Sequence, residues 1–136
     1  MKALNYIILF CFFFGTPTFY AQNAENVKSP KIICPVKLGE TIGFGNKWVK
    51  FAKVLSDSRC PVDVTCVWAG EAKVLVEIYE GEKLLETKEV VISPTSEIIP
   101  LFSLKNNSVG IDGLAPYPNS KTPEANKKYI LNLILL

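Results

Sequence analysis

Histidine is absent from the sequence, and its absence removes whole classes of enzyme. Ser-His-Asp and Cys-His catalysis need an imidazole base, and most zinc enzymes use imidazole ligands. A phosphate-binding loop is also missing, because the glycines of residues 43–46 are followed by no helical pattern. We therefore expect no catalytic residues, no cofactor and no metal, and we interpret residues 43–46 as a hairpin turn.

Clusters of one charge and helical periodicity are lacking as well. The 15 basic residues nearly balance the 13 acidic ones, and the lysines are scattered, so we expect no nucleic-acid partner. Beyond residue 30 the cysteines are Cys34, Cys60 and Cys66, which do not form the close pairs of a cysteine zinc site. From residue 22 onward no segment keeps apolar residues at helical spacing over three turns, so helix should be scarce.

The first residues have the features of a signal peptide. Lys2 precedes an apolar stretch at residues 6–14, and Gly15 and Pro17 then break it before Ala21. The stretch is shorter than the roughly 18 residues that a membrane span needs. We predict a signal peptide at residues 1–21, a flexible polar lead at 22–30 and one domain at 31–136, with no membrane span in the mature chain. The protein should be secreted or periplasmic.

The remaining chain is a series of strand-like segments separated by turn residues. They lie at residues 31–38, 40–44, 48–55, 66–80, 83–92, 97–104, 109–112 and 128–136. This spacing predicts an all-β fold, a single antiparallel β-sandwich of the immunoglobulin-like kind with about seven to eight strands. The last segment is nearly all apolar and should be a central strand. Residues 113–127, with three prolines, should form a long surface loop.

Residues 66–80 show the clearest alternation of apolar and polar residues. One parity holds Trp68, Gly70, Ala72, Val74, Val76 and Ile78, and the other holds Glu71, Lys73, Glu77 and Tyr79. A period of two places one parity on the core and the other in water. We therefore expect Trp68 to pack on the core, with an exposed ligand-stacking ring as the alternative. Gly81 should form a tight turn into the next strand.

Residues 57–70 combine two cysteines, two acids, an arginine and a tryptophan. Pro61 and Asp63 favour a turn between Cys60 and Cys66, so we predict a disulfide that contributes about 2 kcal/mol. Arg59 stands between Asp57 and Asp63. We expect it to brace the turn through charge-assisted hydrogen bonds, with an anion receptor as the alternative.

Two further roles remain for the polar residues of this segment. Asp57 and Ser58 should cap the turn through hydrogen bonds to the nearby backbone. A calcium site formed by Asp57, Asp63 and Glu71 is an alternative, although their spacing matches no known calcium loop.

The segment resembles a family of uncharacterised secreted bacterial proteins and lipoproteins with the signature D-S-R-C-P-x-x-V-x-C-x-W-x-G-x-A. The matching run starts at Asp57 and ends at Ala72, and the resemblance extends to residues 48–54, 114–118 and the strand begun by Tyr129. The resemblance implies an exported single β-domain and no established activity or catalytic residue. Cys34 lies outside the signature, and its pairing is open.

Three functional hypotheses follow. The first is a non-catalytic, monomeric, exported module that binds or organises a protein or carbohydrate at the cell envelope. Its candidate binding residues are Asp57, Arg59, Asp63, Trp68 and Tyr117, because Arg59 and loop 116–118 could meet at one end of the sandwich. The second is a protease inhibitor that presents Arg59-Cys60-Pro61 to a trypsin-like enzyme. The third is a small enzyme that uses carboxylates or a lysine in a deep polar pocket.

Overall fold

The computed structural model describes residues 31–122 and 127–136, so the predicted signal peptide and polar lead lie outside the described residues. The described chain forms strands and connections with no helix, and no segment of it therefore forms a helix long and apolar enough to cross a bilayer. The strands are β1 (Ile32–Lys37), β2 (Thr41–Phe44), β3 (Lys47–Asp57), β4 (Ala72–Glu80), β5 (Lys83–Ile92), β6 (Ile99–Ser103), β7 (Ser108–Ala115) and β8 (Ile130–Leu135).

The strands form two antiparallel sheets that pack face to face, which confirms the predicted β-sandwich. The first sheet has the order β1-β8-β7-β6 and the second has the order β2-β3-β4-β5. Each strand pairs with a neighbour in the chain, except that β1 pairs with β8. Strands β2, β3, β4 and β5 are thus hydrogen-bonded in the order in which they follow one another, which is a simple meander. Immunoglobulin domains instead use Greek-key connections.

The core lies between the sheets and is built mainly from alternate residues of the strands. Phe51, Val74 and Val76 of the second sheet face Val109, Leu131 and Leu133 of the first, and all are fully buried. Strand β8 has a neighbour on both sides, as its apolar sequence predicted. Cys34 of β1 packs partly buried against this core as a free thiol.

Strand β4 follows the predicted alternation, but it starts later than predicted. Ala72, Val74, Val76 and Ile78 are buried, whereas Trp68 is 66% exposed. The prediction that Trp68 packs on the core was therefore wrong. The cause is Gly70, whose φ of 70° bends the chain before Ala72. Residues before the bend are no longer extended with β4, so the alternation in the sequence does not place them on the same face as Ala72.

The tight turns fall where glycine was expected to allow them. Gly45, with φ 64°, connects β2 to β3, and Gly81, with φ 60°, connects β4 to β5. Strand β7 continues to Ala115, so the predicted loop begins at residue 116 rather than 113. This loop then runs along the end of the sandwich where the β3–β4 connection lies.

Candidate functional site

The connection between β3 and β4 is an extended hairpin rather than an irregular loop. The Ser58 backbone N–H donates to the Glu71 carbonyl at 2.8 Å, and the Cys60 N–H donates to the Ala69 carbonyl at 2.8 Å. The Ser58 hydroxyl also donates to the Glu71 carbonyl and accepts from the Glu71 N–H, so it bonds to the opposite arm of the hairpin and not to the nearby backbone as predicted. These bonds continue the β3–β4 pairing and leave residues 61–68 as the end of the hairpin.

The predicted disulfide between Cys60 and Cys66 is present and closes this end, with Cα atoms 5.9 Å apart. Gly70 makes the close approach of the two hairpin arms possible. A Cβ atom at Gly70 would lie 1.9 Å from the Ser58 carbonyl oxygen, which is far inside van der Waals contact. Any other residue at position 70 would therefore push the two arms apart.

Arg59 points into the molecule and braces the hairpin. It is 4% exposed, and its Nε and Nη2 donate to the two carboxylate oxygens of Asp57 at 2.8 and 2.9 Å. Its Nη1 donates to the Leu114 carbonyl at 2.6 Å, and Nη2 also donates to the Pro116 carbonyl at 3.0 Å. The bracing role predicted for Arg59 is confirmed for its pairing with Asp57, and the guanidinium also ties the hairpin to β7 and the loop after it.

Asp57 is the centre of a buried ionic cluster formed by Asp57, Arg59, Lys127 and Tyr129. The Tyr129 hydroxyl donates to Asp57 Oδ2 at 3.1 Å, and Lys127 Nζ lies 3.8 Å from the same oxygen. The side chains of Asp57, Arg59 and Lys127 are at most 5% exposed. Burial opposes ionisation of Asp57, but the hydrogen bonds and charge of Arg59 and the Tyr129 hydroxyl outweigh it and hold the pKa of Asp57 below its usual value.

Asp63 has a different partner from the one predicted. It accepts hydrogen bonds from the backbone N–H of Ser120, at 2.9 Å, and from the Ser120 hydroxyl, and these bonds lower its pKa. The expected bracing of the turn by Arg59 therefore uses Asp57 and not Asp63, because Arg59 turns inward while Asp63 reaches across to the 116–120 loop. A third bond, from the Val62 N–H to the Pro118 carbonyl at 3.0 Å, joins the same two loops.

The three acids of the calcium alternative have separate partners. Asp57 pairs with Arg59, Asp63 with Ser120, and Glu71 with Lys73 at 3.6 Å. Across the two described ranges, no group of three potential metal-ligating side chains comes together.

The hairpin end presents a group of apolar side chains to solvent, which we call the apolar tip. Its members are Val62, Val64, Val67 and Trp68, with exposed fractions of 67, 46, 106 and 66%. The one charged side chain of residues 61–68 is Asp63, which is occupied by Ser120. The surface of the hairpin end is therefore mainly apolar, with the exposed Asp63 carboxylate and Thr65 as its polar members.

Tyr117 completes the contact between the hairpin and the 116–120 loop. The Arg59 guanidinium carbon lies 4.8 Å from the centre of the Tyr117 ring, within the range of a cation–π contact. The expectation that Arg59 and the 116–118 loop meet at one end of the sandwich is confirmed. Tyr117 is 41% exposed and lies on a cleft of about 180 Å³ next to Arg59.

Few carboxylates lie in the clefts near Arg59. Asp112 is the acidic residue of the cleft beside Tyr117, and a second cleft of about 430 Å³ adds Glu97 beside Lys31. Both acids are exposed, as ordinary solvated surface carboxylates are.

Of the five candidate binding residues, Arg59, Asp57, Asp63 and Tyr117 hold the hairpin in place, and Trp68 is the one that projects freely. Arg59 is therefore removed from the position that the protease-inhibitor hypothesis requires, because a buried guanidinium cannot enter a protease specificity pocket. Sequence reasoning missed Lys127, Tyr129 and Ser120, whose contacts span 57 to 72 residues of chain. Val62 and Val64 lie between the two cysteines and Val67 follows the second, so apolar side chains inside a predicted turn were the signal that could have found the tip.

Comparisons with protein-family models, with curated proteins and with solved structures found no match. The resemblance to the secreted bacterial family stays a prediction.

Proposed function

We propose that this protein is a non-catalytic, exported binding module that docks the apolar tip into an apolar recess of a partner protein at the cell envelope. The observation that carries the proposal is the exposure of four large apolar side chains on a hairpin end that is fixed at its base. Large apolar groups on a surface, and tryptophan above all, are typical of protein interfaces.

The hairpin is held in the way that a preorganised binding loop requires. The disulfide closes its end, the buried ionic cluster anchors its base, and Asp63 and Val62 attach it to the neighbouring loop. A loop that is already ordered loses little conformational entropy when it binds, so more of the contact free energy appears as affinity. This arrangement favours recognition by shape over a flexible contact.

The charges of the site support a binding role over catalysis. Asp57 and Arg59 satisfy each other inside the molecule, and Asp63 is bound to Ser120, so these groups stabilise the hairpin instead of facing a substrate. The sequence also has no histidine to serve as a general base near neutral pH. The disulfide is compatible with a location outside the cytoplasm, where disulfides persist.

The proposal is tested by placing a photo-reactive phenylalanine analogue at position 68 and, as the matched control, at Val91. Val91 is 43% exposed on β5, outside the apolar tip. Irradiation in the envelope of the native cells should give a covalent protein adduct from position 68 and none from position 91. Substituting Val67→Ser in the position-68 protein should reduce the adduct severalfold. Equal labelling from both positions, or none from either, would contradict the proposal.

A further inference from the structure

The outer face of the second sheet carries two neighbouring rows of side chains of opposite character. Each row consists of residues that are paired with one another across strands β2, β3, β4 and β5. The aromatic row consists of Gly43, Trp48, Tyr79 and Leu84, and the polar row consists of Thr41, Lys50, Glu77 and Thr87. The two rows lie next to each other because their members are two residues apart on β2, β3 and β4.

Trp48 is held flat against its neighbouring strand. A Cβ atom at Gly43 would lie 3.0 to 3.2 Å from three atoms of the six-membered ring of Trp48, so the ring rests directly on the glycine. Trp48 is nevertheless 45% exposed, and Leu84 at the other end of the row is 47% exposed. The glycine covers one side of the indole, and the remainder faces solvent in line with Tyr79.

The polar row is ordered beside this ring. Glu77 Oε2 accepts a hydrogen bond from the Tyr79 hydroxyl at 2.6 Å and lies 3.3 Å from Lys50 Nζ. The Tyr79 hydroxyl and the lysine together lower the pKa of Glu77, so the carboxylate is ionised and its charge is balanced by the lysine. With one acid and one base, the row offers hydrogen-bonding groups without net charge.

We propose that these two rows form a binding site for an uncharged glycan chain. A pyranose ring has an apolar C–H face that packs on an indole or phenol ring, and hydroxyl groups at its edge that need hydrogen-bonding partners. The aromatic row supplies the first surface and the polar row supplies the second. Neighbouring strands are about 4.8 Å apart, so Trp48, Tyr79 and Leu84 present contacts at intervals close to the length of one sugar unit.

The two rows carry no net charge, which favours an uncharged glycan over charged polymers as the ligand. Nucleic acids and acidic polysaccharides need basic side chains to neutralise them, and the lysine of the polar row is already paired with Glu77. An apolar protein surface would bury the ionised Glu77 and Lys50 next to Trp48, which costs free energy. The glycan site is separate from the apolar tip, so the two proposals stand or fall independently.

The two tryptophans allow a direct test, because each indole N–H gives its own signal in a nitrogen–proton correlation spectrum. The probes are neutral β-1,4-linked hexasaccharides of glucose, xylose, mannose and N-acetylglucosamine, with hexagalacturonate as the acidic control. At least one neutral probe should shift the Trp48 signal saturably while the Trp68 signal stays in place. Hexagalacturonate should bind at least about tenfold more weakly.

Variants separate stacking from a purely structural role of the row. Trp48→Ala should weaken binding at least about tenfold, and Trp48→Phe should retain part of the affinity. Gly43→Ala, which pushes the ring without removing it, should also weaken binding. The matched control is Val91→Ser on the same face outside both rows, which should bind as the wild type does. Failure of every neutral probe to move the Trp48 signal, or equal affinity of the Trp48→Ala and Trp48→Phe variants and the wild type, would overturn the proposal.

Discussion

Arg59 shows how a single buried charge can hold a whole hairpin. A guanidinium taken out of water is costly unless its N–H groups find acceptors and its charge finds a partner. Asp57 supplies the charge and two acceptors, and the carbonyls of Leu114 and Pro116 supply two more. Because those carbonyls belong to β7 and the following loop, satisfying the arginine also fixes the hairpin to the opposite sheet.

Substituting Asp57→Asn should therefore destabilise the protein strongly. The variant leaves Arg59 buried without its counter-ion, and breaking a buried pair in this way costs about 3 to 5 kcal/mol in free energy of unfolding. Urea unfolding followed by circular dichroism measures the loss. The matched control is Asp112→Asn at an exposed acid, which should change the free energy by less than about 0.5 kcal/mol. Equal effects of the two substitutions would show that the ionic cluster contributes nothing special.

The same carboxylate predicts how stability depends on pH. The pKa of Asp57 is lower in the folded protein than in the unfolded chain, so the unfolded chain binds more protons between the two values. The stabilisation is complete above the unfolded pKa and is lost as the pH falls through the folded pKa. Asp63 and Glu77 shift in the same direction. Urea midpoints should fall below about pH 4, and less steeply for Asp57→Asn. Parallel curves for the two proteins would contradict the assignment.

Contacts between side chains that are close in sequence could be predicted, and contacts between distant ones could not. The pairing of Asp57 with Arg59 follows from two opposite charges separated by one residue. Lys127 and Tyr129 approach Asp57 only because β8 lies where it does, and no local pattern reports that. The partner of Asp63 was missed for the same reason, since Ser120 lies 57 residues away.

At the scale of the element, the β3–β4 hairpin depends on one glycine that needs both space and a positive φ. Gly70→Ala places a methyl group on the Ser58 carbonyl and should cost at least about 3 kcal/mol. Gly81→Ala is its matched control, because Gly81 has a similar positive φ but no atom within 4 Å of the added Cβ. That substitution should cost about 1 to 2 kcal/mol. Chemical unfolding of both variants decides, and an equal cost would contradict the close approach of the hairpin arms.

The disulfide should contribute modestly to the global free energy and more to the shape of the hairpin end. Replacing Cys60 and Cys66 with alanine removes a short closed loop, which in the chain-entropy description lowers stability by about 2 kcal/mol. Thermal unfolding with and without reductant measures this effect. Reductant should bring the wild type to the melting temperature of the double variant and leave the variant itself unchanged. A wild type that melts at the same temperature in both conditions would contradict the prediction.

The strands were largely predictable because their alternation survives from sequence to structure, and the one failure has a local cause. In β4 the apolar parity is buried from Ala72 onward, as expected. Trp68 shares that parity in the sequence, but the positive φ of Gly70 separates it from the strand. Alternating residues share a face of a strand only while the backbone stays extended. Gly70 interrupts the extended backbone, so the alternation does not hold across it.

At the scale of the whole molecule, the sandwich carries two distinct surfaces, the apolar tip at one end and the two rows on the face of the second sheet. The sequence predicted two packed sheets, because strand-like segments with one apolar face must bury it. It did not predict the strand order, since several orders bury the same residues equally well. The position of the 116–120 loop, and with it the support of the hairpin, depends on that order.

Amide hydrogen exchange of the hairpin is the most direct test of the claim that a fixed base presents an exposed apolar tip. The N–H groups of Ser58, Cys60 and Val62 donate to Glu71, Ala69 and Pro118. In the wild type these three amides should exchange slowly although the neighbouring Val67 and Trp68 side chains lie in water, and Asp57→Asn should speed their exchange. Exchange in the wild type as fast as in an unstructured peptide would contradict the account.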